Sequence, residues 1–150
     1  MEQTIYEYAG GEEALRRFVE IFYHSVLVDD VLGPLFDGGS PEHIPHLIAF
    51  DSEAFGGPER YTQEYGFATI IDAHRNLHIS ERQRERFVEL YLAAADKAGL
   101  PDDPRFRATL RSHVEFGSRV AVQNSNARTD EELHPLREVP KWTWEDPAAS

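Results

Sequence analysis

Apolar residues recur along this chain at three- and four-residue intervals, broken by glycine and proline, and no useful stretch alternates as a strand would. Leu15, Phe18, Phe22 and Val26 form one core-facing stripe on a helix expected from Gly10-Gly11 to about Asp29. Gly33-Pro34 bends the chain, and Phe36 precedes a Gly38-Gly39-Ser40 loop. A shorter helix is predicted from Ser40 or Pro41 to about Phe55, carrying Ile44, Leu47, Ile48 and Phe50 and ended by Gly56-Gly57-Pro58. Between Glu59 and about Thr69 the pattern fades, which predicts a loop leading to a short helical piece with His74. Ser80-Glu81-Arg82-Gln83 has the form of a capping box, ahead of a helix bearing Phe87, Leu90, Tyr91, Ala94 and Ala98. Gly99 and Pro101 stop it, and a last helix is expected from about Pro104 to Asn124. The predicted class is all-α.

The chain changes character near Ser125. Residues 1–125 read as one domain and 126–150 as a C-terminal extension, polar first and then proline-rich. Leu136, Val139, Trp142 and Trp144 are costly to leave in water. The extension is therefore expected to pack on the body or on a second subunit, the latter making a homodimer.

Composition narrows the chemistry. A net charge of −12 argues against nucleic acid or an anionic membrane as partner. The absence of cysteine excludes disulfides, thiolate catalysis, iron–sulfur clusters and thiolate-ligated cofactors. The N-terminal segment has no signal-peptide pattern and no stretch is long enough to span a membrane, so a cytoplasmic protein is expected.

Seven histidines remain: His24, His43, His46, His74, His78, His113 and His134. His43 with His46, and His74 with His78, fall on shared helix faces, so a four-histidine zinc site is formally available. Structural zinc sites usually recruit cysteine, and Pro45 would kink a metalloprotease-like helix, so this reading is weak. Haem needs one axial imidazole, an apolar slot and polar groups at its propionates. Phe22, Phe36, Phe50, Phe55, Phe67 and Phe87 can line such a slot, although the same set also serves as an ordinary core.

The order of motifs over about residues 5–125 resembles the truncated haemoglobins. It is carried by Ala9-Gly10-Gly11, by Phe22-Tyr23 with Asp30-Val31-Leu32-Gly33-Pro34-Leu35-Phe36, by Gly56-Gly57-Pro58 with Tyr61, and by His74 ahead of Ile79-Ser80. The Gly-Gly-Pro followed by tyrosine, and Arg137-Glu138-Val139-Pro140, look most like group II. The resemblance implies a two-over-two helical sandwich around one haem b, iron protoporphyrin IX, with His74 as proximal ligand. Its other ring nitrogen would donate to a backbone carbonyl.

The same resemblance makes Tyr23 the hydroxyl that faces the ligand, Phe36 an aromatic packed on the porphyrin, and Leu47 and Phe50 the apolar distal wall. His43 matches a distal gate, able to donate to the ligand, swing aside or bind the iron, with a solvent-facing ring as the bland alternative. Tyr61, Arg60, His46 and Arg75 are candidates for the propionates, and His78 either approaches a propionate or competes as ligand. Two departures stand out. Phe87 occupies the place where group II proteins usually carry tryptophan, and Asp72-Ala73 replaces the usual basic residue before the proximal histidine. The implied function is reversible binding of O2, NO or CO, with nitric-oxide or peroxide chemistry if an external reductase supplies electrons. The alternative is a helical interaction module that has lost haem.

Overall fold

The computed structural model describes residues 3–145, and every regular element within them is helical. α1 (Ile5–Ala9) was not foreseen from the apolar pattern. It is short, but Thr4 and Glu7 close a capping box on it, Thr4 Oγ1 accepting from the Glu7 amide and Glu7 accepting from Thr4 N–H. α2 (Gly11–Leu27) follows, with Leu15, Phe18, Phe22 and Val26 all buried as their spacing required.

Asp29 turns the chain by accepting from the amides of Val31 and Leu32, each at 3.0 Å. α3 (Gly33–Phe36) is a single turn. α4 (His43–Ala54) begins later than expected, after a turn over residues 40–42. Pro45 does not kink it, because it stands in the first turn, where its missing N–H has no intrahelical partner to lose.

The expected loop between Glu59 and Thr69 holds a helix, α5 (Arg60–Glu64), and the short helix expected at His74 is α6 (Phe67–His74). Isolated helices this short are marginal in water, so tertiary anchors decide. Glu53, 1% exposed on α4, accepts from Thr62 N–H at 2.9 Å and Thr62 Oγ1 at 2.5 Å, fixing α5 in place. At the bend before α5, a side chain at Gly57 would meet the Tyr6 ring and the Ser52 carbonyl at 2.7–2.8 Å, which explains a glycine there.

α7 (Glu81–Lys97) starts at the Ser80–Gln83 capping box, and α8 (Pro104–Asn126) starts at Asp103, whose carboxylate accepts from Phe106 N–H. α2 packs on α4, α7 packs on α8, and α2 against α7 joins the two pairs. Phe18, Phe22, Phe55, Phe106 and Leu110 lie fully buried between them. α6 lies against α8. Beyond a short turn at residues 130–132, the chain is extended and returns along the body, with Val139 and Trp142 buried. Among the described residues, no helix is long and apolar enough to cross a membrane.

Candidate functional site

His74 ends α6, and its side chain enters a cavity walled by Phe50 from α4, Phe67 and Ile70 from α6, and Phe116 and Val120 from α8. The space between these walls is about 40 Å³, well under the several hundred cubic ångströms of a small-molecule site, so the apolar side chains stand nearly closed on one another. His74 Nδ1 lies 2.8 Å from the Ile70 carbonyl oxygen, one helical turn back. A carbonyl accepts only, so Nδ1 carries the proton and Nε2 keeps its lone pair. Burial pushes the His74 imidazole below the usual histidine range, and the Ile70 hydrogen bond offsets this only in part. The ring is thereby held neutral and oriented, the state a metal ion requires of an imidazole.

Tyr23, Phe36 and His43 meet in a second group, with ring centroids 5.4–5.9 Å apart. Tyr23 Oη accepts from Ser40 N–H at 3.0 Å and lies 2.5 Å from His43 Nδ1, a hydrogen bond in which the phenol is the donor when His43 carries its proton on Nε2. Gly39 makes this approach feasible: a side chain there would press on Tyr23 Oη at 3.0 Å and on Leu27, and its φ of +93° disfavours any other residue. Burial is the first cause that lowers His43 from the usual histidine value, the charge of His46 the second, with Glu42 opposing both. His43 is therefore neutral near pH 7, and in its Nε2–H tautomer it accepts from Tyr23.

The remaining residues singled out from the sequence divide into those that join these groups and those held elsewhere. Phe50 and Phe67 share the cavity with His74, and Leu47 is half-buried against the core. Phe87 stands edge-on to Phe22 at 5.0 Å. Tyr61 is buried, bonded to Thr69 Oγ1 at 2.8 Å, and with Phe50, His46 and Tyr65 forms an aromatic cluster. Arg60 is paired with Glu12 and Glu64, and Arg75 with Asp130 and Asp72. His78 is exposed in a left-handed conformation, φ 52°, with its amide on the Ser125 carbonyl. Among the described residues, no three His, Asp or Glu side chains converge as a metal cluster, so the four-histidine zinc arrangement has no geometric support.

Sequence reasoning did not assign a role to Asp51 or His113. His113, 5% exposed on α8, lines the cavity, and its Nε2 lies 3.0 Å from Asp51 Oδ1. Tyr91 donates to the other carboxylate oxygen at 3.1 Å, and burial, then the Asp51 charge, push its phenol well above its usual range. His113 Nδ1 has no partner among the described residues. The available signal was a carboxylate at a helical interval from Ile48, and a histidine between Leu110 and Val114, both on apolar stripes.

A group with an apolar plane and a metal that takes one neutral imidazole fits these donors. Phe50, Phe67 and Ile70 supply apolar surface around His74, Phe36 stands beside His43, and both histidines are neutral.

The family model of bacterial-like globins matches residues 4–116. A group 2 truncated haemoglobin of Bacillus subtilis is 27% identical over 117 residues, which span 78% of this chain and 87% of the relative. The solved haemoglobin of the thermophilic phototrophic bacterium Chloroflexus aurantiacus has a TM-score of 0.72 at 32% identity, covering 84% of this chain and 100% of that one. The group II truncated haemoglobin of Bacillus anthracis, 24% identical, shares the fold with a TM-score of 0.74 over 87% of this chain and 98% of that one. The chain therefore belongs to the bacterial-like globins, as a group II-like truncated haemoglobin with the two-over-two helical fold, a family that implies a haem cofactor and small gaseous ligands.

Proposed function

We propose that this globin holds iron protoporphyrin IX through His74 Nε2 and reversibly binds O2, NO or CO, in a cytoplasmic setting. The observation that carries the reading is the fixed tautomer of His74: Nδ1 tied to the Ile70 carbonyl at 2.8 Å, Nε2 free in an apolar cavity. The haem, when bound, supplies an iron that coordinates diatomic ligands. The protein's part is to orient one imidazole, exclude water with Phe50 and Phe67, and offer a hydrogen bond from Tyr23 or His43. Phe36 packs against the porphyrin in this reading, and Leu47 and Phe87 complete the distal wall. His46 and Tyr61 are the better placed of the propionate candidates, since Arg60 and Arg75 already have carboxylate partners.

A second reading has one observation in its favour. His43 is neutral and half-buried beside Tyr23, so it can accept a proton, as peroxide chemistry or turnover of nitric oxide with bound oxygen would use. Either reaction needs electrons from outside, so it carries a reductase partner with it.

The test is the optical spectrum of the purified, haem-loaded protein in ferric, ferrous and CO-bound states, beside His74→Ala. A histidine-ligated spectrum lost or rewired in the variant is the expected result. A wild type that takes up no haem would return the chain to the haem-free interaction module, and a variant identical to wild type would move the ligand away from His74.

A further inference from the structure

The family match ends at residue 116 and α8 ends at Asn126, yet two walls of the His74 cavity come from beyond both: Leu136 and Pro140. The chain that carries them follows a fixed path. His134 N–H donates to Asn124 Oδ1 at 2.9 Å, which turns the segment back along α8. Leu133 and Val139 are 8% and 3% exposed. Trp142 N–H donates to the Ala54 carbonyl at 2.8 Å, at the C-terminal end of α4. The Trp142 indole stands edge-on to His113 and Phe116, with centroids 6.2 and 6.3 Å away, so it braces the two α8 side chains that face the cavity. Lys141 pairs with Glu59, and its Nζ lies 3.9 Å from the buried Glu53 carboxylate.

The physical consequence concerns α6. That helix is eight residues long, and a helix this short draws little stability from its own hydrogen bonds. It leans on α8, and the cavity lies between them. Leu136 and Pro140 line this space together with His74, Phe50, Phe67 and Phe116. An apolar shell of this kind governs solvent access to a ligated metal.

We propose that the extension is part of the cofactor site: Leu136 and Pro140 are haem-contacting residues, and Trp142 is the positioning residue that clamps them to α4 and α8. Retention of haem then depends on a segment beyond residues 4–116, the stretch that the family model matches. The inference rests on the haem reading above, and the experiment separates the two.

Full-length protein is loaded with ferric haem, and its transfer to excess apomyoglobin is followed by absorbance. A wild type that takes up no haem defeats the haem reading itself before any variant is compared. With haem bound, Leu136→Ala and Trp142→Ala are expected to lose it about tenfold faster, the scale of one leucine's lost apolar contact. Leu133→Ala is the control: the same truncation in the same segment, at a buried leucine that does not line the cavity. It should change the rate less than about twofold while lowering the thermal midpoint as Leu136→Ala does. Equal rates for Leu133→Ala and Leu136→Ala, or no acceleration in either, would overturn the proposal. A second readout needs no variant. Haem should slow tryptic cleavage after the exposed Arg137 by about tenfold, by the ligand linkage that suppresses local opening, and equal cleavage with and without haem also overturns it.

Discussion

Two tyrosine–histidine groupings in this molecule are built from the same side chains and behave differently. In the core, Tyr91 and His113 both bind the Asp51 carboxylate, at 3.1 and 3.0 Å, and Asp51 is 3% exposed. Between α2 and α4, Tyr23 and His43 bind each other directly, with the Ser40 amide as third partner among the described residues. The difference is the carboxylate. A buried charge makes its hydrogen bonds permanent, because losing a donor leaves the charge uncompensated. A neutral phenol–imidazole bond is exchanged for another at a cost of about 1 kcal/mol. The first grouping therefore ties α4, α7 and α8 together under the cavity. The second leaves a phenol proton that is transferable from His43 to a guest.

The largest expected effect is on the locked grouping. Asp51→Ala strands the Tyr91 hydroxyl and His113 Nε2 inside the core, and we expect about 3 kcal/mol of lost stability. For a chain of this size that lowers the thermal midpoint by roughly 10 °C. Tyr91→Phe removes one hydrogen bond to the buried carboxylate and leaves it His113, at about 2 kcal/mol. Calorimetry on the two variants checks both figures. An Asp51→Ala protein that melts with the wild type would erase the contrast between a locked and an exchangeable pair.

The exchangeable pair is sharpened by opposing variants of the haem-loaded protein. Tyr23→Phe removes the phenol proton and should speed oxygen release by roughly tenfold, the scale of one hydrogen bond to a charged partner. His43→Leu frees that proton from its present acceptor, so release should slow by a few-fold. Stopped-flow displacement of O2 by CO measures both. If both variants accelerate release, His43 is the donor and the phenol only supports it.

The periodic stripes made the long helices readable. α2, α7 and α8 each carry enough apolar residues at helical spacing to specify themselves, and Ser80–Gln83 marks the start of α7. The short helices were readable only in part: a helical piece at His74 was expected, but α5 was not, because it owes its place to contacts such as Thr62 on Glu53, nine residues apart. Pro45 misled for a related reason: a helix-breaker has no effect in a first turn, and the sequence did not mark where that turn begins. Family motifs singled out Tyr23, Phe36 and His43, which meet in the fold, and Phe67, which lines the His74 cavity beside Phe50, a residue those motifs set on the distal wall with Tyr23 and His43. They said nothing of Asp51 and His113, whose partnership spans 62 residues and whose carboxylate looks like solvated surface in a linear reading.

The smallest effect concerns acid. His43 is neutral in the fold because burial disfavours its charge and His46 repels it, so its native pKa lies below 6.5 while the unfolded chain titrates near that value. Between the two values the unfolded state holds a proton that the native state lacks, so stability is full above about pH 6.5 and declines as pH falls through it. His46→Gln removes the repulsion while burial remains, so it narrows the gap between the two values and should flatten part of that decline. His74, also lowered, contributes equally to both proteins and leaves the difference to His43. Urea midpoints of the haem-free protein at pH 7.5 and 5.5 give the comparison. A variant that loses as much stability as the wild type would show that burial alone sets His43, and that the phenol's acceptor is insensitive to its neighbour's charge.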